Sequence, residues 1–176
     1  MSDDRMVDGI RIVQIEERWA QELEELELSV FHTVDPSDLY HAPELRRLAR
    51  VFPEGNFVAL DGDRPIGMGL GILVDFDFDD PHHSLDEVTG GDGVSAHRDG
   101  NPWYYGTSIS VYPEYRGRSI GRRLYDLRKD CVRRLNKRGI VAGGVLPGYA
   151  QHIDEMTADT YIDKVRAGEL LSLIHI

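Results

Sequence analysis

Trp103-Tyr104-Tyr105-Gly106-Thr107-Ser108-Ile109-Ser110-Val111 leads through Tyr112-Pro113-Glu114-Tyr115 into Arg116-Gly117-Arg118-Ser119-Ile120-Gly121-Arg122. The first nine residues have strand character, and Pro113 to Gly117 reads as a turn. From Ser119 to Lys137 the apolar positions Ile120, Leu124, Leu127, Cys131 and Leu135 step by four, three, four and four. That spacing predicts one buried face of a helix. A helix N-terminus carries unsatisfied backbone N–H groups and about half a positive charge, which suits a phosphate. Gly117 and Gly121 let the backbone approach such a group closely, and Arg116, Arg118 and Arg122 add charge-assisted hydrogen bonds. Strand, tight turn and helix together predict an anion site.

Working outward, residues 10–15 alternate as a first strand, and Trp19, Leu23, Leu26 and Val30 mark an amphipathic helix over 16–31. Asp35-Pro36-Ser37 opens a second helix with Leu39, Leu45 and Leu48 on its buried side, ending near Phe52-Pro53. Residues 56–60 and 65–74 form a hairpin around Asp61-Gly62-Asp63. Residues 75–102, rich in Asp, His and Gly, form a loop long enough to be functional or mobile. After the basic helix comes a strand over 140–146, a break at Pro147-Gly148, and a last helix capped by Thr157 and running to about Gly168.

The turn and its surroundings resemble the GNAT acyltransferases, whose pyrophosphate-binding motif is Arg/Gln-x-x-Gly-x-Gly/Ala. Arg116 and Gly121 match its first and last positions, and Ser119 stands where glycine is usual. The resemblance covers most of residues 10–146. It implies an α+β fold in three layers: a mixed, mostly antiparallel sheet with helices on both faces. It also implies an acyl-CoA cosubstrate, acetyl-CoA in the first instance, bound by Arg116, Gly117, Arg118, Ser119, Ile120, Gly121 and Arg122. The backbone of Ile109, Ser110 and Val111 would then carry the pantetheine arm, with one N–H polarising the thioester carbonyl. As plain residues, Ile109 and Val111 also read as ordinary strand core.

Direct acetyl transfer needs a neutral amine, and a lysine-like amine is neutral in only about one molecule in 10³ at pH 7. A proton acceptor therefore helps. Asp75, Asp77 and Asp79 share one side if the strand continues past Val74, and His82 and His83 follow. The alternatives are a solvated acidic loop or a divalent-metal loop, whose spacing matches no standard motif. The resemblance implies a tyrosine acid for the departing thiolate, and Tyr149 is the nearest candidate, with a packing role as the alternative. Cys131 falls on the apolar stripe and reads as a buried structural thiol.

Arg122 to Lys129, residues 139–144 and Pro147-Gly148-Tyr149 further resemble GNAT domains fused ahead of a nitrilase-type carbon–nitrogen hydrolase. The expected domain is residues 8–170, incomplete at its C-terminal side and lacking its final strands. Residues 171–176, Leu-Ser-Leu-Ile-His-Ile, match what a sequencing adaptor encodes.

The chain has 176 residues, 41% hydrophobic and 29% charged, which fits one domain of a soluble protein. A single cysteine excludes an intrachain disulfide, and no apolar run spans a bilayer; the expectation is a cytoplasmic protein without membrane or nucleic-acid partners. Net charge is −11, yet residues 116–138 hold ten Lys or Arg against two Asp, leaving −19 for the remainder. A local basic segment fits a small anionic ligand better than a nucleic acid. The leading expectation is an N-acetyltransferase acting on an amine. An acyl-CoA-sensing module of a fused hydrolase is the rival, and homodimerisation stays open.

Overall fold

The computed structural model describes residues 6–80, 83–144 and 148–170. These form two units, one ending at Ala142 and one beginning at Gly143.

The first unit is built on a six-stranded sheet in the order β1-β2-β3-β4-β5-β6. The strands are β1 (Met6–Val7), β2 (Ile10–Gln14), β3 (Phe57–Asp61), β4 (Arg64–Val74), β5 (Trp103–Val111) and β6 (Gly139–Ala142). All neighbours are antiparallel except β5 and β6. The β1–β2 hairpin closes on Asp8-Gly9, both at positive φ, the conformation that suits a two-residue turn. Helices α1 (Ala20–Val30), α2 (Ala42–Val51), α3 (Leu85–Thr89) and α4 (Ile120–Arg134) complete the unit.

Strand β4 is buried along almost its whole length because both faces are covered. Leu23 and Leu26 of α1 and Leu45 and Leu48 of α2 pack with Met68, Leu70 and Ile72. On the other face Ile120, Leu124 and Cys131 of α4 pack with Ile10, Ile12, Ile66 and Tyr104. Each such leucine or isoleucine contributes about 1.5–3 kcal/mol on full burial. This is the mixed sheet with helices on both faces implied by the resemblance to the GNAT acyltransferases.

Beyond the start of β3, side chains replace the missing strand along one edge of β4. Asn56 Oδ1 accepts from Gly71 N at 2.8 Å and its Nδ2 donates to Gly71 O at 3.0 Å. Leu73 N donates to His97 Nδ1 at 3.0 Å, and Leu73 O accepts from Asn101 Nδ2 at 3.1 Å. Segment 75–102 is thus partly ordered by the sheet. It also contains α3, whose N-cap Ser84 exchanges hydrogen bonds with Glu87.

Two boundaries differ from expectation. Asp35-Pro36-Ser37 opens only a 3-10 turn, Pro36–Asp38, and α2 starts at Ala42. A helix continuous from Pro36 would place Pro43 in its interior, where proline removes a hydrogen bond and clashes with the preceding turn. Leu39 is accordingly extended and only half-buried. Strand β6 ends at Ala142, whereas a strand over 140–146 was expected; residues 145–147 and the tail 171–176 lie outside the described residues.

In the second unit, α5 (Ala158–Arg166) begins at the expected N-cap, Thr157, whose hydroxyl accepts from Thr160 N at 3.3 Å. Gly168, at φ +76°, closes its C-terminal end.

Candidate active site

The parallel β5–β6 pairing covers only Trp103 to Gly106, opposite Gly139 to Ala142. Strand β5 continues through Thr107 to Val111, paired on its other side with β4. Among the described residues, nothing pairs with the remaining edge of this half-strand. Alternate backbone N–H and C=O groups there point away from β4 and are available to an extended ligand. Ile109 is 37% exposed and Val111 half-buried.

The open edge leads into the turn. Tyr115 hydroxyl donates to Asp61 Oδ2 at 2.7 Å, bracing the turn on the β3–β4 hairpin. Arg116 is exposed, and its Nε donates to Val111 O at 3.2 Å. Gly117 has φ +78°, and Ser119 adopts the left-handed conformation with φ +60°. That conformation costs a residue with a Cβ about 1–2 kcal/mol, a physical reason for glycine at this position. Ile120 is buried, anchoring the first turn of α4, while Arg122 is exposed.

A methyl group at Gly117 or Gly121 would meet no atom within 4 Å. Packing of the chain on itself therefore does not demand either glycine. The open space lies over the free N–H groups of the α4 N-terminus, beside two exposed arginines, and a pyrophosphate fits this arrangement. Arg118 is different: its guanidinium is hydrogen-bonded to the Asp8 carboxylate and, at 2.8 Å, to Asp8 O.

Two groups that the sequence did not single out meet at Ser108. Strand β5 bulges where Leu70 and Gly71 of β4 pair with Ser108 and Gly106. There the buried Arg128 of α4 donates to Leu70 O at 2.6 Å and to Ser108 O. From the opposite face Glu27 of α1, 2% exposed, accepts from Ser108 Oγ at 2.9 Å and from Ser110 Oγ at 3.2 Å. Burial pushes the Glu27 carboxyl up to about 7, and the two serine hydrogen bonds only partly oppose it. A signal was present in the sequence: position 27 lies four residues after Leu23 and three before Val30, inside the apolar stripe of α1.

Asp75, Asp77 and Asp79 are exposed just beyond β4, which ends at Val74 opposite Trp103. They lie at the other end of the β4–β5 pair from Ile109 to Val111. Asp77 Oδ1 accepts from Asp79 N at 2.9 Å. His83 Nε2 lies 2.8 Å from the Tyr105 hydroxyl; His82 is outside the described residues. Among the described residues no three His, Cys, Asp or Glu side chains are grouped to hold a metal ion. Tyr149, in the second unit, donates its hydroxyl to Met156 O at 3.1 Å and packs 5.4 Å from the Tyr161 ring. Cys131 is buried, and burial raises its thiol. No helix among the described residues is long and apolar enough to cross a membrane.

The Acetyltransferase (GNAT) family profile matches residues 18–146, and the chain belongs to that family. Its members are acyltransferases. Among curated proteins, the probable hydrolase YhcX of Bacillus subtilis (strain 168) is 34% identical over 154 residues. That match covers 88% of this chain but only 29% of YhcX, so the chain spans less than a third of that relative's length. The uncharacterized N-acetyltransferase YkwB of the same organism is 29% identical over 171 residues, 94% of this chain and 74% of YkwB. Among solved structures, the GphF GNAT-like decarboxylase in complex with isobutyryl-CoA superposes with a TM-score of 0.73. It is 17% identical, with 87% of this chain and 75% of that one covered, a likeness of fold.

Proposed function

We propose that the chain is an N-acyltransferase that moves an acetyl group from acetyl-CoA to an amine by direct transfer. One observation carries this reading: the edge of β5 over Thr107–Val111, unpaired among the described residues, leads directly into the Arg116–Gly121 turn at the α4 N-terminus. The pantetheine arm would lie along that edge, bonded by the backbone of Ile109, Ser110 and Val111. The pyrophosphate would lie over Gly117, Ser119, Ile120 and Gly121, with Arg116 and Arg122 neutralising it and Arg118 contributing if it leaves Asp8. When bound, the CoA thioester supplies an activated acyl carbon. A β5 backbone N–H would stabilise charge on its carbonyl oxygen.

The exposed Asp77 and Asp79, and His82 by its place in the sequence, would act as bases that take the proton from the ammonium form of the acceptor. Residues 8–170 act as one acyl-CoA-binding domain in this reading. Isothermal titration with acetyl-CoA, followed by thiol release across a panel of primary amines, tests it. Binding with amine-dependent thiol release supports the transferase, and absence of CoA binding contradicts it.

A second reading is favoured by the YhcX relationship, in which this chain matches 29% of a probable hydrolase. There the domain binds acyl-CoA and regulates a fused nitrilase-type hydrolase. Tight acetyl-CoA binding with no thiol release under any amine would favour it.

A further inference from the structure

Glu27 is the one buried Asp or Glu among the described residues. Among the described residues, no lysine, arginine or histidine is hydrogen-bonded to it. A carboxylate buried without a cation is costly, and leucine or glutamine would fill the same place in the α1 stripe with less penalty. Both of its hydrogen bonds come from β5, from Ser108 and Ser110. Those serines flank Ile109 on the half-strand whose other edge is open among the described residues. A carboxylate kept at such a cost, and wired to that half-strand alone, points to proton chemistry.

We propose that Glu27 is the terminal proton acceptor of acyl transfer, reached through the Ser110 hydroxyl. The assignment rests on the acyl-CoA reading of β5. The amine nitrogen attacks the thioester carbonyl carbon, the C–N bond forms, and the C–S bond breaks with the electron pair leaving on sulfur. The surplus proton on nitrogen passes to Ser110 Oγ as that hydroxyl's own proton passes to Glu27. The products are a neutral amide, a thiolate and a protonated Glu27, which returns its proton to the thiolate or to solvent.

The groups around Glu27 suit this role. Ser108 and Ser110 face it from β5. The buried Tyr40, on the segment before α2, lies close enough to interact electrostatically with it and donates to Gly93 O at 3.1 Å. Glu24, one turn earlier on α1, is paired with His41 at 2.6 Å, and Arg128 lies across the sheet. With a carboxyl near 7, Glu27 divides between acid and base at neutral pH, where general-base efficiency is greatest.

The test compares wild type with Glu27→Gln and Ser110→Ala. Infrared difference spectra of wild type against Glu27→Gln follow the protonated-carboxyl band from pH 5 to 9, with and without acetyl-CoA. Thiol release with a panel of primary amines gives kcat and KM across the same range. The expected result is a band that titrates near neutrality and shifts its midpoint when acetyl-CoA binds. Glu27→Gln, whose amide oxygen can still accept from Ser108 and Ser110 and so hold β5 in place, should lower kcat about 10²-fold or more and abolish the rising pH limb, with KM for acetyl-CoA unchanged. Ser110→Ala, which keeps the carboxylate, should lower kcat while leaving the band in place. A midpoint indifferent to bound acetyl-CoA, or a Glu27→Gln variant with the wild-type rate and pH limb, overturns the proposal and leaves the acyl-CoA reading intact. Failure of all three proteins to bind acetyl-CoA overturns both.

Discussion

Glu27 and Arg128 hold the same residue from opposite faces of the sheet. The Ser108 hydroxyl donates to Glu27 at 2.9 Å, while its carbonyl accepts from the Arg128 guanidinium. Between them they fix β5 where it bulges against β4 and passes beyond the end of β6. The position of the half-strand that would carry the cosubstrate thus depends on two buried polar side chains as well as on the apolar core.

Arg128→Met tests the structural half of this arrangement. It leaves the buried Leu70 and Ser108 carbonyls without their donor, at about 1–3 kcal/mol for each unsatisfied group. Urea denaturation should show a loss of about 3 kcal/mol or more. A loss below about 1 kcal/mol would mean that the bulge is held by other means.

The raised Glu27 carboxyl makes stability depend on pH. Its folded value of about 7 exceeds the ordinary 4.5, so the folded state binds the extra proton between those values. The resulting stabilisation is fully present below about pH 4.5 and is lost as pH rises through 7. It amounts to about 3 kcal/mol. Denaturation of wild type and Glu27→Gln from pH 5 to 8 should show the wild type losing stability relative to the variant. Parallel curves would contradict a buried, titrating Glu27.

At Gly121, stability and ligand binding should move in opposite directions. A methyl group there meets nothing within 4 Å, and alanine is the better helix former, so Gly121→Ala should stabilise the free protein by about 0.5 kcal/mol. The same methyl would occupy the space assigned to the pyrophosphate and should weaken acetyl-CoA binding tenfold or more. Unchanged affinity would place the phosphates elsewhere.

At Ser119, by contrast, a change to glycine should not set stability against binding. Removing the side chain from a residue at φ +60° relieves about 1 kcal/mol of backbone strain. Thermal denaturation should show the gain, and acetyl-CoA affinity should hold or improve.

Local features were the legible ones in the sequence. The α4 stripe, the Asp61-to-Asp63 turn and the Thr157 cap each depend on residues within a few positions of one another. The start of α2 was misplaced because Pro36 offered an attractive first turn while Pro43 set the true one. The edge of β4 was hidden for a different reason: its partners, Asn56, His97 and Asn101, are side chains that sequence patterns do not pair with a strand. Glu27 stood among Glu22, Glu24 and Glu25 on a helix rich in acids. Its place in the apolar stripe was visible, but only the serines of β5, more than 80 positions away, give that place a chemical meaning.

The most direct test of the acyl-CoA site is calorimetric titration of wild type and Arg116→Ala with CoA and with pantetheine, which lacks the phosphates. The predicted result is CoA binding by wild type, weakened about 10–100-fold by Arg116→Ala through loss of a charge-assisted contact, with pantetheine affinity unchanged. Equal losses for both ligands, or no CoA binding by wild type, would contradict a pyrophosphate site at the Arg116–Gly121 turn.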